Sequence, residues 1–260
     1  MKKYVLLVLL FFFLISPGWT QESWQRSPSG RMLLYSHGGV IRTDTTLRRI
    51  HLVFTGDTFA DGYEAIKAAL DKRSIKASFF FTGHFYRNPH FASLIRQLAT
   101  DGHYLGAHSD KHLLYAAWED RDSLLVTRDS FERDLLDNYA VMRRFGIERA
   151  DAPYFMPPYE WYNQDISDWC RALGFTLVNF TPGTSANQDW SYPEIGKGYY
   201  SSDTIFRKIL EYEQRHTLNG FILLTHIGVD PRRPDPFYRR LDELLTILEE
   251  RGYRFALLRE

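Results

Sequence analysis

The chain has 260 residues, with 32 Lys plus Arg against 32 Asp plus Glu and a formal net charge of zero. That balance excludes a basic field for nucleic acid and an acidic, self-repelling tail. An apolar content of 44% and an aromatic content of 16% are ample for one large core, which an α/β chain of this length builds as a single domain.

In chain order, Lys2 and Lys3 precede an apolar run from Val5 to Ile15 that Ser16-Pro17-Gly18 closes. A charged start, a short apolar stretch and a breaker predict a signal peptide over residues 1–20, and with it a secreted or periplasmic protein. The run is shorter than the roughly 20 apolar residues of a spanning helix, so no stable membrane span is expected after cleavage. An uncleaved anchor is the alternative. The run holds no Cys, which excludes a lipoprotein anchor. Cys170 is the only cysteine, so no internal disulfide is expected, and its apolar-periodic surroundings suit a small buried residue rather than a catalytic thiol.

Residues 21–49 are polar with scattered Ser, Pro and Gly, and predict a loose lead-in with one short strand. The regular pattern, and the domain proper, occupy residues 50–260. Strands are expected at His51–Gly56, Ala77–Thr82, Tyr104–His108, Pro153–Met156, Thr176–Phe180, Phe221–Thr225 and Arg254–Leu257. Helical patterns lie between them at Tyr63–Arg73, Pro89–Thr100, Arg128–Phe145, Asp165–Leu173, Ser202–His216 and Phe237–Arg251. Gly102, Gly146, Gly174 and Gly252 follow periodic runs as C-terminal caps do, and Asn163 and Ser202 suit N-caps. Strands alternating with helices imply parallel pairing. Seven such units predict an α/β fold, a distorted (β/α) barrel of about seven strands. In such barrels chemistry sits on the loops after the strands, where Asp57, His108, His112, Tyr159, Thr181 and His226 fall.

The most informative stretch is Gly102-His103-Tyr104-Leu105-Gly106-Ala107-His108-Ser109-Asp110-Lys111-His112. It carries two imidazoles four residues apart, close enough to share one cation. Other stretches add to it: Lys76-Ala77-Ser78-Phe79-Phe80-Phe81-Thr82-Gly83, Phe155-Met156-Pro157-Pro158-Tyr159 and Leu223-Leu224-Thr225-His226. Together and in this order they resemble the motifs of the polysaccharide deacetylase family, the NodB-like domain of carbohydrate esterase family four, over roughly His51 to Leu258. The resemblance implies a divalent metal held by one Asp and two His, an Asp general base, and a His general acid to the departing amine or alcohol. The metal is commonly zinc, with cobalt, manganese or nickel as alternatives. Carried onto this chain, His108 and His112 are the imidazole ligands, His226 is the acid, and the Tyr159 backbone N–H helps bind the oxyanion.

Bland readings stand beside these. His226 could be a strand-end histidine satisfied by a carbonyl, and Pro157-Pro158-Tyr159 a rigid turn. His84 and His103 suit structural roles. The family's first motif, T-F-D-D-G, departs most. Here the strand ends Thr55-Gly56-Asp57, followed by Thr58-Phe59-Ala60-Asp61-Gly62. Matching the strand makes Asp57 the metal ligand and leaves Asp61 as the base, with the swapped roles as the alternative; matching letters puts Asp61 on the metal and leaves Ala60 where the base should be. Met156 stands where the family has an Arg that pairs with the base. Glu160 could replace the base, bind a sugar hydroxyl, or be a solvated loop acid. Asp189-Trp190 could supply a carboxylate that orients His226, and Trp161, Tyr162, Trp190 and Tyr192 flat faces for sugar rings; the alternative is that these are ordinary loop residues. The function so implied is metal-dependent removal of acetyl groups from an N- or O-acetylated oligo- or polysaccharide. Two alternatives are a carbohydrate-binding protein that keeps fold and metal without turnover, and an amidase-like hydrolase of a non-sugar C–N bond.

Overall fold

The computed structural model describes residues 22–27 and 30–258, so the expected signal segment 1–20 lies outside the described residues. Residues 22–42 are not a loose lead-in. They form an antiparallel meander of β1 (Glu22–Arg26), β2 (Met32–Ser36) and β3 (Gly39–Arg42). The β2–β3 turn has only two residues, His37 and Gly38, with φ of 47° and 78°. Such a turn matches the twist of the flanking strands, but His-Gly is a weaker signal for it than Asn-Gly.

The seven strands expected from periodicity are all present and parallel: β4 (Arg49–Gly56), β5 (Ser78–Phe81), β6 (Tyr104–Ala107), β7 (Tyr154–Phe155), β8 (Thr176–Leu177), β9 (Phe221–His226) and β10 (Arg254–Phe255). The sheet runs β1-β2-β3-β9-β4-β5-β6-β7-β8, with β10 against the start of β4. β3 has a structural task that its sequence hides. It pairs β9 on one side, while Val40 bridges Val178 just beyond β8 and accepts a 2.8 Å hydrogen bond from the Asn179 N–H. The meander thereby supplies the strand that closes the distorted barrel.

Helices cover the outside: α1 (Tyr63–Asp71), α2 (Gly83–Arg87), α3 (Ala92–Thr100), α4 (Arg128–Met142), α5 (Gln164–Ala172), α6 (Ser202–His216) and α7 (Leu241–Glu250). Their inward stripes follow the helical period. In α7 Leu241, Leu244, Leu245 and Leu248 are buried, each worth about 1.5–3 kcal/mol relative to exposure. Strands covered on both faces read as continuous apolar runs, as Phe79-Phe80-Phe81 of β5 does. Cys170 is buried on α5, where burial pushes its thiol pKa up and away from reactivity.

Gly102, Gly146, Gly174 and Gly252 adopt φ of 79°, 74°, 85° and 84°, the left-handed geometry that ends a helix. Asn163 caps α5 by accepting from the Ile166 N–H at 3.1 Å. The cap of α6 is Ser201 rather than Ser202, with the Thr204 N–H donating to Ser201 Oγ. Ser202 is buried instead, and its hydroxyl donates to the Asp235 carbonyl. The short helix α2 has no period long enough to be legible. It exists because Thr82 caps it, accepting from the Phe85 N–H at 3.1 Å. Among the described residues no helix is long and apolar enough to cross a membrane.

Candidate active site

The C-terminal ends of β4, β6, β7 and β9 open onto one cleft of about 720 Å3, in the size range of ligand sites. Its most firmly held part is the loop after β6. On α4, Asp134 and Asn138 lie four apart on the buried face. Asn138 Oδ1 accepts from the His108 N–H at 2.9 Å. Asp134 accepts from Ser109 Oγ at 2.6 Å and from the N–H groups of Asp110 and Lys111 at 3.1 and 3.0 Å. Arg87 of α2 grips Asp110 with two hydrogen bonds of 2.7 and 2.8 Å. One signal for this scaffold was in the sequence: an acid and an amide at core-facing positions of an otherwise apolar stripe.

This scaffold aims both histidines at the cleft. His108 is 2% exposed, and its Nδ1–H donates to the Met156 carbonyl at 2.9 Å, which leaves Nε2 as a free lone pair. His112 adopts φ of 55° and makes no hydrogen bond among the described residues. Burial, reinforced by the neighbouring imidazole, holds His108 down at about 3; burial also holds His112 at about 4, against the pull of Asp57. Both rings are therefore neutral at pH 7, the state a metal requires.

Asp57 ends β4 and lines the same cleft. Its Oδ1 accepts from Thr82 Oγ1 at 2.6 Å and from His84 Nδ1 at 3.2 Å, and its Oδ2 from Thr58 Oγ1 at 2.9 Å. Partial burial opposes its ionisation, but the Thr82 bond, the nearby His112 and the Thr58 bond win, and its pKa lies below the usual carboxylate value. His84 thus touches the site through Asp57, a contact the sequence did not suggest. Asp61 is placed differently. It is absent from the lining of the cleft, its Oδ1 accepts from the Val229 N–H at 2.9 Å, and its Oδ2 accepts from the Tyr238 hydroxyl at 2.5 Å. With both oxygens tying the β4–α1 loop to the loop after β9, Asp61 is not poised to take a proton in the cleft.

His226, at the end of β9, sits opposite Thr55 of β4 in register. Asp189, 1% exposed, makes two hydrogen bonds to it: Oδ1 accepts from Nδ1–H at 2.6 Å and Oδ2 from the backbone N–H at 3.0 Å. Burial alone would lower the His226 pKa, but the Asp189 charge and hydrogen bond, with Glu160 adding to them, raise it above the ordinary imidazole value. The loop bearing Asp189 is anchored by Arg233, itself buried, which donates to the carbonyls of Ser191 at 2.6 Å and Tyr200 at 3.0 Å.

The turn after β7 forms another wall. Met156 is fully buried, so the place of the family's Arg is apolar. Tyr159 and Glu160 are consecutive left-handed residues with φ of 58° and 53°. Among the described residues, five of the eight non-glycine residues with positive φ (Ser109, His112, Tyr159, Glu160 and Ser185) lie on the loops around this cleft, where strain of this kind gathers at functional sites. Burial, with Asp189 adding to it against the pull of His226, pushes Glu160 up to about 7. Trp161 does not line the cleft: its Nε1–H donates to the Ala117 carbonyl at 3.1 Å, and Arg121 stacks on its ring at 3.6 Å. It backs Trp118, which the sequence reading did not single out. Trp118, Tyr159 and Trp190 are 53%, 45% and 42% exposed and all line the cleft, as do Tyr192, Asp230 and Arg232.

The donor set of Asp57, His108 and His112 suits a divalent ion in chemistry: one ionised carboxylate and two neutral imidazoles. In distance it is open, because its ligand atoms do not all lie within 4.8 Å of one another. The one described group that meets that distance is Asp71, Asp101 and His103, at the other end of the strands. Its chemistry does not suit a metal. The Ala77 N–H donates to His103 Nδ1 at 3.1 Å, so Nε2 carries the hydrogen and has no lone pair to give. Lys67 already bridges both carboxylates.

Among known proteins, the chain is 25% identical to a peptidoglycan-N-acetylglucosamine deacetylase of Bacillus cereus over 209 residues, covering 78% of this chain and 85% of that one. The solved structure of Bacillus subtilis PdaA, a family 4 carbohydrate esterase, superposes with a TM-score of 0.67 at 20% identity, covering 91% and 94% of the two chains. A family 4 pseudoenzyme of Bacillus anthracis superposes equally well, with a TM-score of 0.67 at 16% identity over 86% of this chain and 69% of that one. These structures share the fold. The family model described as polysaccharide deacetylase matches residues 43–178, just over half of the sequence. The chain belongs to the polysaccharide deacetylase family.

Proposed function

We propose that this protein is an exported, metal-dependent hydrolase that removes acetyl groups from an N- or O-acetylated carbohydrate. The observation that carries the reading is the His226–Asp189 pair, bonded at 2.6 Å, facing the same cleft as His108, His112 and Asp57. Export rests on the Lys2-Lys3 start and the apolar run from Val5 to Ile15. Zinc is the ion that a carboxylate and two imidazoles favour, and when bound it supplies Lewis-acid polarisation of the acetyl carbonyl.

The residues of the chain do the rest. Asp189 fixes the His226 ring with hydrogen on Nδ1, and the raised pKa keeps a second proton on Nε2 for the departing amine or alcohol. The Tyr159 N–H is the backbone donor offered to the developing oxyanion. Trp118, Tyr159 and Trp190 present apolar ring faces on which sugar rings rest.

The test is acetate release by zinc-loaded protein from N-acetylated chitooligosaccharides, acetylated xylan and a panel of non-sugar N-acetyl amides. Release from the carbohydrates, lost by His226→Ala with zinc content unchanged, supports the reading. A second reading, a carbohydrate-binding protein without turnover, is favoured by one observation: Gly56 holds the position before Asp57, where the family motif has its base. It predicts zinc and oligosaccharide binding with no acetate release. Release only from the non-sugar amides would move the protein to the amidase class.

A further inference from the structure

This inference rests on the hydrolase reading above and names the residue that activates water in it. A strand-end carboxylate before Asp57 is excluded by packing, not only by sequence. A Cβ on Gly56 would stand 2.7 Å from Ile227 Cγ2 and 3.0 Å from the Phe81 and Phe85 rings. Those atoms are core, and none is the free end of a flexible side chain.

Among the described residues lining the cleft, the carboxyl groups are Asp57, Glu160 and Asp230. Asp57 is held on both oxygens and faces the histidine pair. Asp230 lies at the rim with both oxygens on Arg232, at 2.9 Å to Nε and 2.6 Å to a terminal nitrogen, which holds its pKa down at about 2. A carboxylate that weakly basic is a poor proton acceptor at neutral pH. Asp189 and Asp61, near the cleft, have both oxygens engaged by His226 and by Val229 and Tyr238. Glu160 alone offers an uncommitted carboxyl, with no hydrogen bond to it among the described residues.

We propose that Glu160 is the general base of this cleft, delivered by the Pro157-Pro158-Tyr159-Glu160 turn in place of the strand-end acid that Gly56 excludes. The backbone is built to hold it there. Two consecutive left-handed non-glycine residues are strained and persist only where the surroundings over-determine them. Here Asn179 Nδ2 donates to the Glu160 carbonyl at 2.7 Å, the Glu160 N–H donates to the Pro157 carbonyl at 3.1 Å, and Trp161 is pinned to Ala117. A carboxyl whose pKa burial has brought up to about 7 is matched to proton abstraction at neutral pH.

In the step, a water oxygen bonds to the acetyl carbonyl carbon while Glu160 takes one water proton. The carbon–nitrogen or carbon–oxygen bond then breaks as His226 gives its Nε2 proton to the leaving atom. The products are the free amine or alcohol and acetate, and the Glu160 proton returns through solvent to the His226 ring. One water is consumed and no redox partner is needed.

The test compares wild type, Glu160→Gln and Glu160→Asp, all zinc-loaded, on N-acetylated chitooligosaccharides and acetylated xylan. Expected for Glu160→Gln is a loss in kcat of about 10²–10⁴-fold with KM little changed, with zinc content retained and the melting temperature not lowered. The acidic limb of the wild-type pH profile, expected near 7, disappears, and Glu160→Asp recovers part of the rate. In the metal-free protein the Glu160 carboxyl should titrate near 7 by carbon-13 NMR. A rise in KM with kcat preserved would make Glu160 a sugar-hydroxyl ligand and overturn the assignment. So would a kcat within about fivefold of wild type, or a carboxyl titrating near 4.5. A wild type that releases no acetate from any acetylated glycan would instead bring down the hydrolase reading, and this assignment with it.

Discussion

Two clusters of the same residue types sit at opposite ends of the barrel strands, and they differ in what they can bind. Asp57, His108 and His112 lie at the C-terminal ends of β4 and β6. Asp71, Asp101 and His103 lie at the ends of α1 and α3 and just before β6, and are the tighter group. Proximity favours the second cluster, and chemistry favours the first. Lys67 neutralises Asp71 and Asp101, and their pull in turn holds its own pKa above the usual lysine value. His103 is kept neutral at about 4, chiefly by burial, and spends its lone pair on the Ala77 N–H. At the other end His108 is turned around: a carbonyl takes the hydrogen and the lone pair faces the cleft. The lesson is that the partner of the far ring nitrogen, not the distance between donors, decides whether a histidine can be a ligand.

The contrast is broken most sharply by removing one imidazole at each end. His108→Ala should abolish stoichiometric zinc binding, measured by elemental analysis after dialysis, and lower acetate release by about 10³-fold or more, since metal polarisation is worth several kcal/mol. His103→Phe should leave zinc content unchanged and cost only about 1 kcal/mol of stability, because the Ala77 N–H loses its acceptor while an orphaned Nε2–H is also removed. Zinc lost from His103→Phe and kept by His108→Ala would invert the assignment.

A smaller effect tests the neighbouring pair. Asp189 raises the His226 pKa against a burial that would lower it. Asp189→Asn should therefore move the alkaline limb of the rate profile to lower pH, with a loss of about 10–100-fold at pH 8 and less at pH 6. An unmoved limb would make the 2.6 Å contact purely architectural.

How much of this was legible follows from the same physics. Periodicity placed the seven parallel strands because each falls on a short apolar stretch bounded by turn signals, although β7, β8 and β10 shrink to two residues each. The His108–His112 stretch was legible because its spacing sits at a strand end. β1–β3 was not, since every residue of β1 is exposed and the two-residue turn uses His-Gly. Asp61 was drawn into the site by its place in the sequence. Its bonds to Val229 and Tyr238 come from residues more than 160 positions away, which no local pattern reports. Trp118 was hidden for a similar reason: its exposure on the cleft wall depends on Trp161 and Arg121 stacking behind it. Asp134 and Asn138 were also passed over, although both stand as polar breaks in the buried face of α4.

The weakest effect expected concerns stability and bears on why Glu160 is where it is. Its carboxyl has a pKa of about 7 in the folded chain, against an ordinary value of 4.5, because burial disfavours the charge. Between those values the folded state binds a proton that the unfolded state has already released. The stability associated with the neutral form is thus fully present below pH 4.5 and is lost as pH rises through 7. Gln cannot ionise and loses nothing over that range. Metal-free Glu160→Gln should match wild type at pH 4 and melt higher at pH 8, by about 2–4 °C if the charge costs about 1 kcal/mol. Equal melting temperatures at pH 8 would mean that the folded cleft solvates the carboxylate as well as water does. A higher melting temperature in a variant with lost kcat would show the fold holding an uncompensated acid at a cost in stability, which is the trade expected of a residue kept for chemistry.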